Sequence, residues 1–488
     1  MQDTVYNRSN MTRIKIILWA ALFTALLVSC GNSIQKPDDD DDTLPPLEKD
    51  EFYAQNLETG KYYKVKAEIL YDKSNNCVIW AEKGSGITSA KAKEIADEYD
   101  KKIRPTVVNT FSKRNFKYKN YADQFDNMLD FANWLVYGDG RLTILLLDIK
   151  DGFKNPDTDS YVAGYFFGGN FFSKGKQNKG KYYSNGRDMI YIDTNPGLNQ
   201  PTYTTQTYTT FAHELQHLIN FVTTVFLERD DLMDTWIDEG LSSQAEHLYA
   251  GKNLSGKYDW FKNDEKGTIA KGNNFFVWDN HREEPLAILD DYATVYLFFR
   301  WLDLQAKQKS LSDIFLKIET SEKYDHHAVT DVAQQINSEW KDWGTLLRTW
   351  LAANYYPESS DGYVGGGELQ TIKAKLIAEE KIKLYPGEGV YSKISGSFSS
   401  ARTSGKIHYA GLTDKGINTP SPTGNVTGDV LLTFNANTDN SDITWPEEGL
   451  LTGVPPPKSQ TMARSIQTET ITGPYVIDAR DMLERSKR

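Results

Sequence analysis

At 488 residues, with 39% hydrophobic and 12% aromatic content, the chain carries enough apolar material for a sizeable core and enough length for about two or three structural units. Its formal charge is −12, from 55 Lys plus Arg against 67 Asp plus Glu. That balance, and the lack of a basic stripe, argue against a phosphate-backbone partner, so nucleic acid is not an expected ligand.

From Met11 the sequence reads "MTRIKIILWAALFTALLVSCGN", with basic Arg13 and Lys15, an apolar run from Ile16 to Val28, then Ser29 and Cys30. The run is short for a transmembrane span and has the layout of a secretory signal. "LVSC" resembles the bacterial lipoprotein box, which implies a signal peptide over 1–29, cleavage before Cys30 and lipidation of that cysteine. Residues 30–50 follow as an acidic tether with five consecutive aspartates and three prolines, too polar to bury. The expected location is the bacterial cell envelope, lipid-anchored to a membrane through Cys30, whether outer membrane, periplasmic or surface-exposed. With Cys30 lipidated, Cys77 is the remaining thiol, so no intramolecular disulfide is available; its context "NNCVIWAE" reads as a buried structural position.

Between Glu51 and Trp80, "YYKVKAEILY" and "CVIWAE" alternate apolar and polar residues and predict strands. "SAKAKEIADEYDKKIRPTVVNTF" has helical spacing at Ala92, Ile95, Ala96 and Tyr99, with Pro105 marking a break or kink. Three apolar runs, "RLTILLLDI" (141–149), "YVAGYFF" (161–167) and "DMIYID" (188–193), predict strands of a mixed sheet. Helical patterns dominate from Pro285 to about Ala353, and from residue 386 the composition shifts to Gly, Thr, Ser and short apolar runs. The expected fold class is α+β: a main domain over 51–385, helical from about 285, and a small C-terminal β unit over 386–488.

Between the third strand and the helical region lies "TTFAHELQHLINF", residues 209–221. Histidines at i and i+4 share a helical face and can aim two imidazoles at one point, half of a tetrahedral zinc site. Glu214, beside His213, can then take a proton from a metal-activated water. Phe211, Leu215, Leu218, Ile219, Val222 and Val225 or Phe226 form the apolar stripe of the same helix, with His213 and His217 on an adjacent face. With 7 His in 488 residues, this pattern arises by chance in roughly one such chain in a hundred or fewer, so the zinc reading needs a third ligand as independent support.

"DTWIDEGLSSQAEHL", residues 234–248, supplies one. Ile237, Leu241, Ala245 and Leu248 form its core stripe and leave Glu239 on another face, while Gly240 and the serines would let this helix approach the first closely. Asp238 and His247 compete for the ligand role: Asp238 is shorter and points about 100° away, and His247 lies about two turns further on.

"HELQHLI" followed by "WIDEGLS" resembles the gluzincin metallopeptidases, whose zinc helix is followed by a helix bearing a glutamate ligand in an "EG" context. "FAHELQHLINF" with "WIDEGLSSQAE" is similar to the hyicolysin family of secreted bacterial metallopeptidases. The likeness spans about residues 90 to 355 and is specific in those two motifs. It implies a zincin-like domain, with a mixed sheet whose edge strand binds substrate backbone, an active-site helix and a helical second lobe, and one Zn²⁺ per chain held by His213, His217 and Glu239. It also implies a proton or hydrogen-bond donor opposite Glu214, for which Tyr292 in "LDDYATVYLFFRWL" is the candidate and Tyr296, His326 and His327 are alternatives. Gluzincin aminopeptidases hold the substrate amine with a carboxylate in an upstream strand, and "VAGYFFGGNFF" carries none, which favours cleavage within a peptide paired to "YVAGYFF".

Two runs, "NPDTDS" (155–160) and "NANTDNSD" (435–442), bring side-chain oxygens close together; Ca²⁺ binding there has weak support, and ordinary turns are the better reading. His281 and His408 have no ligand partners nearby in sequence. The expected function is thus a lipid-anchored zinc metalloendopeptidase acting on protein or peptide substrates, with Glu214 as general base. The alternative is a non-catalytic surface binding protein, an adhesin or glycan binder, on a decayed protease scaffold. The intact set His213, Glu214, His217 and Glu239 favours the first, since decay usually removes the base or a ligand.

Overall fold

The computed structural model describes residues 44–112, 140–154, 160–171, 175–177, 182–228, 232–264, 267–272, 275–276, 287–377, 384, 386–394, 397–399, 407–414, 416–418, 425–438 and 475–478. By internal contacts these fall into two units. The first holds the described residues up to Pro105, those from 140 to Leu218, and 475–478; the second holds 106–112 and the described residues from Ile219 to 438.

The first unit is built on β1 (Glu51–Gln55), β2 (Tyr62–Tyr71), β3 (Cys77–Glu82), β4 (Leu142–Leu147), β5 (Ser160–Phe166), the small hairpin β6 (Gly175–Gln177) and β7 (Tyr182–Ser184), and β8 (Met189–Asp193). The main sheet runs β1-β2-β3-β4-β8-β5, with a further strand at Tyr475–Asp478 on the outer edge of β5. It is mixed: β3, β4 and β8 are parallel, with Ile79 opposite Ile144 and Ile144 opposite Ile190. By contrast β5 runs antiparallel to β8, with Gly164 opposite Ile192. Every residue of β4 and β8 is buried, which explains their near-continuous apolar text.

Helix α1 (Ser89–Glu98) is capped by Thr88, whose side chain accepts the Lys91 N–H at 3.2 Å. Around Pro105 the helical path is irregular rather than interrupted. The chain passes through a wide π-type turn over Tyr99–Ile103 and resumes as α2 (Arg104–Phe111), so the turn absorbs the lost N–H and the ring's bulk.

Helix α3 (Pro201–Phe221) crosses the division between the units at Leu218 and Ile219. The second unit continues with α4 (Thr235–Ala250), α5 (Ser255–Asn263), α6 (Ala287–Gln308), α7 (Ile314–Glu319), α8 (Asp325–Ile336) and α9 (Trp343–Tyr355). Next come β9 (Gly389–Lys393), β10 (Ser397–Ser399), β11 (Ile407–Thr413), β12 (Gly416–Asn418), β13 (Asn425–Thr427) and β14 (Val430–Asn435). Strands β12-β11-β14-β9 form a four-stranded sheet that packs on α9, where the Tyr391 hydroxyl donates to Leu351 O at 2.7 Å. Gly389 lets that approach happen, since a Cβ there would lie 2.4 Å from Leu351. The last strand, β15 (Tyr475–Asp478), is the one paired to β5. Among the described residues no helix is long and apolar enough to cross a membrane.

Asp188, just before β8, is buried, and its Oδ1 has no hydrogen-bond partner. Desolvation pushes its carboxyl up to about 8. The folded state therefore retains a proton that the unfolded chain loses near pH 4, so this group's contribution to stability falls as pH rises from about 4 to about 8. Asp188→Asn should remove that fall, raising Tm at pH 8 by about 2 °C or more and changing it less at pH 5, as read by differential scanning calorimetry.

Candidate metal centre

Helix α3 opens with Pro201 in its first turn, where a missing N–H costs nothing. Its first half is rich in threonine, a poor helix former, and the hydroxyls are absorbed locally. Thr207 donates to Tyr203 O at 3.1 Å, and Thr209 and Thr210 donate to Gln206 O at 2.7 and 3.2 Å. From Thr209 to Phe221 every residue is buried, so His213, Glu214, His217 and Asn220 all lie in the interior.

The one-turn spacing stacks the two imidazoles edge to face, with centroids 4.6 Å apart and Nε2 atoms 2.9 Å apart. Glu239, fully buried on α4, completes the group: His213, His217 and Glu239 each offer a ligand atom, and these atoms all lie within 4.8 Å of one another. Zinc bonds of about 2.0–2.1 Å in tetrahedral geometry would place two ligand nitrogens roughly 3.3 Å apart, so the imidazoles need only a small adjustment. Two imidazoles and a carboxylate are also the donor set of a catalytic zinc site that keeps one position open. The residues present fit the metal.

The two rivals of Glu239 are engaged elsewhere. Asp238 accepts a hydrogen bond from Asn220 Nδ2 at 2.5 Å, which ties α4 to α3 one turn beyond His217. His247 donates through Nδ1 to Lys252 O at 2.8 Å beside the helix end, and burial lowers its pKa to about 4. Gly240 does allow a close approach, but toward α6 rather than the approach to α3 expected from its small size: a Cβ there would lie 2.3 Å from the Phe299 ring. The start of α4 is fixed by Trp236, whose ring packs at 5.2–6.0 Å from Phe275, Phe276, Phe298, Phe299 and Trp343.

Tyr292 is buried on α6, with Lys257 Nζ over its ring at 5.3 Å. Lys257 is itself buried, and donates to Ser243 Oγ at 2.8 Å and to Glu246 Oε1 at 2.7 Å on α4. Tyr296 has a structural task, since its hydroxyl accepts the Leu254 N–H at 2.8 Å, and burial holds its pKa above the usual tyrosine value. His326 and His327 form a second group of possible ligands with Asp325. There the Asp325 carboxylate already accepts the His327 N–H at 2.9 Å and lies 3.0 Å from His326 Nδ1. Cys77 is a buried free thiol, pushed up to about 12 by burial, and His408 is exposed, with its ring stacked on Phe434. Cys30, His281 and most of "NPDTDS" lie outside the described residues. The "NANTDNSD" run is described to Thr438, and its Asn435 donates to Leu384 O at 3.1 Å.

Two residues of this region escape a motif search. Asn220 could have been noticed as a polar side chain amid "LINFV", whereas Lys257 carries no sequence signal at all.

No family model matches the chain. It is 30% identical over 259 residues to the neutral metalloprotease ShpI of Staphylococcus hyicus, across 52% of this chain and 51% of that protein. The chain thus spans about half the length of the curated relative it matches, and the likeness relates it to a metallopeptidase.

Asn220→Ala would leave the Asp238 carboxylate buried without its amide donor and loosen α4 against α3. Metal affinity at this candidate site, measured by chelator competition, should fall about 10- to 100-fold. Gly240→Ala should cost about 1–3 kcal/mol in urea unfolding, because the Phe299 ring must shift in a packed interior.

Proposed function

We propose that this protein is a zinc-dependent endopeptidase of the gluzincin type, with His213, His217 and Glu239 as metal ligands. The observation that carries the reading is the buried convergence of two imidazoles and one carboxylate from α3 and α4. The metalloprotease relative adds independent support.

Zinc, when bound, supplies Lewis acidity that polarises a carbonyl oxygen and acidifies water. Glu214 follows His213 directly and is equally buried. In a dry site its carboxylate takes the proton of the attacking water and passes it to the leaving amine. Tyr292 is the candidate hydrogen-bond donor to the developing oxyanion, and the Lys257 cation over its ring holds it in place. An extended substrate pairs its backbone with the outer edge of β5, in place of the β15 strand that covers that edge in this structure, and cleavage falls within the peptide, because "VAGYFFGGNFF" offers no carboxylate to hold a free amine.

The anchoring reading rests on the N-terminal text. The apolar run Ile16–Val28 before "SC" supports lipidation of Cys30, and the aspartate-rich segment after it supports a solvated tether at the cell envelope.

A chain beginning at Gly31 should bind one zinc and cleave casein. Glu239→Ala should lose both, whereas Glu214→Gln should keep the metal and lose about 10²–10⁴-fold in kcat, because water is present but its base is gone. Metal is read by elemental analysis and turnover by peptide release. Full activity in Glu214→Gln would remove the mechanism.

A further inference from the structure

The outer edge of β5 is occupied by the chain's own C-terminal segment. Strand β15, Tyr475–Asp478, runs antiparallel to β5, pairing Tyr475 with Gly164, Val476 with Val162, Ile477 with Tyr161 and Asp478 with Ser160. A strand has two hydrogen-bonding edges, and the other edge of β5 is taken by β8. One extended peptide can therefore lie on the outer edge at a time.

That edge adjoins the metal helix. At Gly164 a Cβ would lie 2.8 Å from Thr210 Cγ2, so β5 rests on α3 one turn before His213 and Glu214. Tyr475 sits opposite Gly164, which places the start of β15 level with that contact. The pairing is also short and irregular. It covers four residues, and its register shifts between Tyr475 and Val476, a bulge that breaks the ladder.

We propose that residues 475–478 act as an intramolecular substrate mimic, docked on the β5 edge and displaced by an extended peptide substrate. The proposal rests on the endopeptidase reading and adds to it a means of restraint: peptides that pair with β5 must compete with the C-terminal strand. Docking at this edge needs only backbone N–H and C=O groups, so the competing ligand class is an extended, unblocked run of peptide backbone.

The test uses the full-length chain with Val476→Pro and Ile477→Pro together. Adjacent residues in a strand direct their N–H groups to opposite sides, so one of the two prolines removes a bond to β5. The apparent KM for an internally quenched extended peptide should fall about ten-fold at unchanged kcat, the factor by which a 90% docked population would raise it. A labelled synthetic peptide covering residues 470–482 should bind the double variant more tightly than wild type by fluorescence anisotropy, a readout that needs no turnover. A second variant, Ser160→Cys with Asp478→Cys, should form a disulfide that locks β15 in place, suppress peptide cleavage and regain it on reduction. Unchanged KM, equal binding of the labelled peptide and no effect of the crosslink would overturn the proposal and leave the endopeptidase reading standing. Selective binding of the labelled peptide by a double variant that cleaves nothing would support docking while removing the endopeptidase reading.

Discussion

Burial of the second half of helix α3, Thr209 to Phe221, on every side is the constraint from which the rest of the site follows. A helix that carries His213, Glu214, Gln216, His217 and Asn220 into the interior must find partners for each polar group or lose several kcal/mol of stability. The threonines solve the problem within the helix by bonding back to its own carbonyls. Asn220 solves it through Asp238 on the next helix. The imidazoles meet edge to face, which brings their Nε2 atoms within 2.9 Å of one another. Each solution also fixes a side chain, so the polar burden of the helix and the geometry of the site share one physical origin.

Helix α4 is held by different means at its two ends. Trp236 anchors its start in an aromatic cluster, while the left-handed Gly251 ends it, with its N–H bonded to His247 O. Between them Gly240 admits the Phe299 ring, and Lys257 bridges Ser243 and Glu246 from α5. Glu239 thus sits on a rigid element locked by packing on one side and by buried ionic contacts on the other. Rigid support of this kind keeps a carboxylate at ligand distance without metal-driven rearrangement.

The sheet of the first unit contributes an edge. Strands β4 and β8 are buried at every position and hold the antiparallel β5 beside β8, with its second hydrogen-bonding edge turned outward. Gly164 brings that strand onto α3 because any side chain there would collide with Thr210 and with the Tyr191 carbonyl. An edge strand so close to a candidate metal helix invites pairing, and the C-terminal strand β15 takes it.

Much of this is written in the sequence because it is periodic. The i, i+4 histidines, the alternation in β2 and the apolar runs of β4 and β8 depend on residues near one another in the chain, where helix and strand geometry alone set the directions. The resemblance of "HELQH" and "WIDEG" to a known pair of motifs points to Glu239 in the same local way. Other features needed the tertiary structure, because they join residues far apart in sequence through distance and sterics. The engagement of Asp238 by Asn220 and the use of Gly240 to admit Phe299 rather than to approach α3 are of this kind. So are the placement of Lys257 over Tyr292 and the arrival of Tyr475–Asp478 at an edge more than 300 residues upstream in the chain. Sequence fixes which side chains a helix or strand presents; only folding decides what stands opposite them, since that depends on the packing of every element at once.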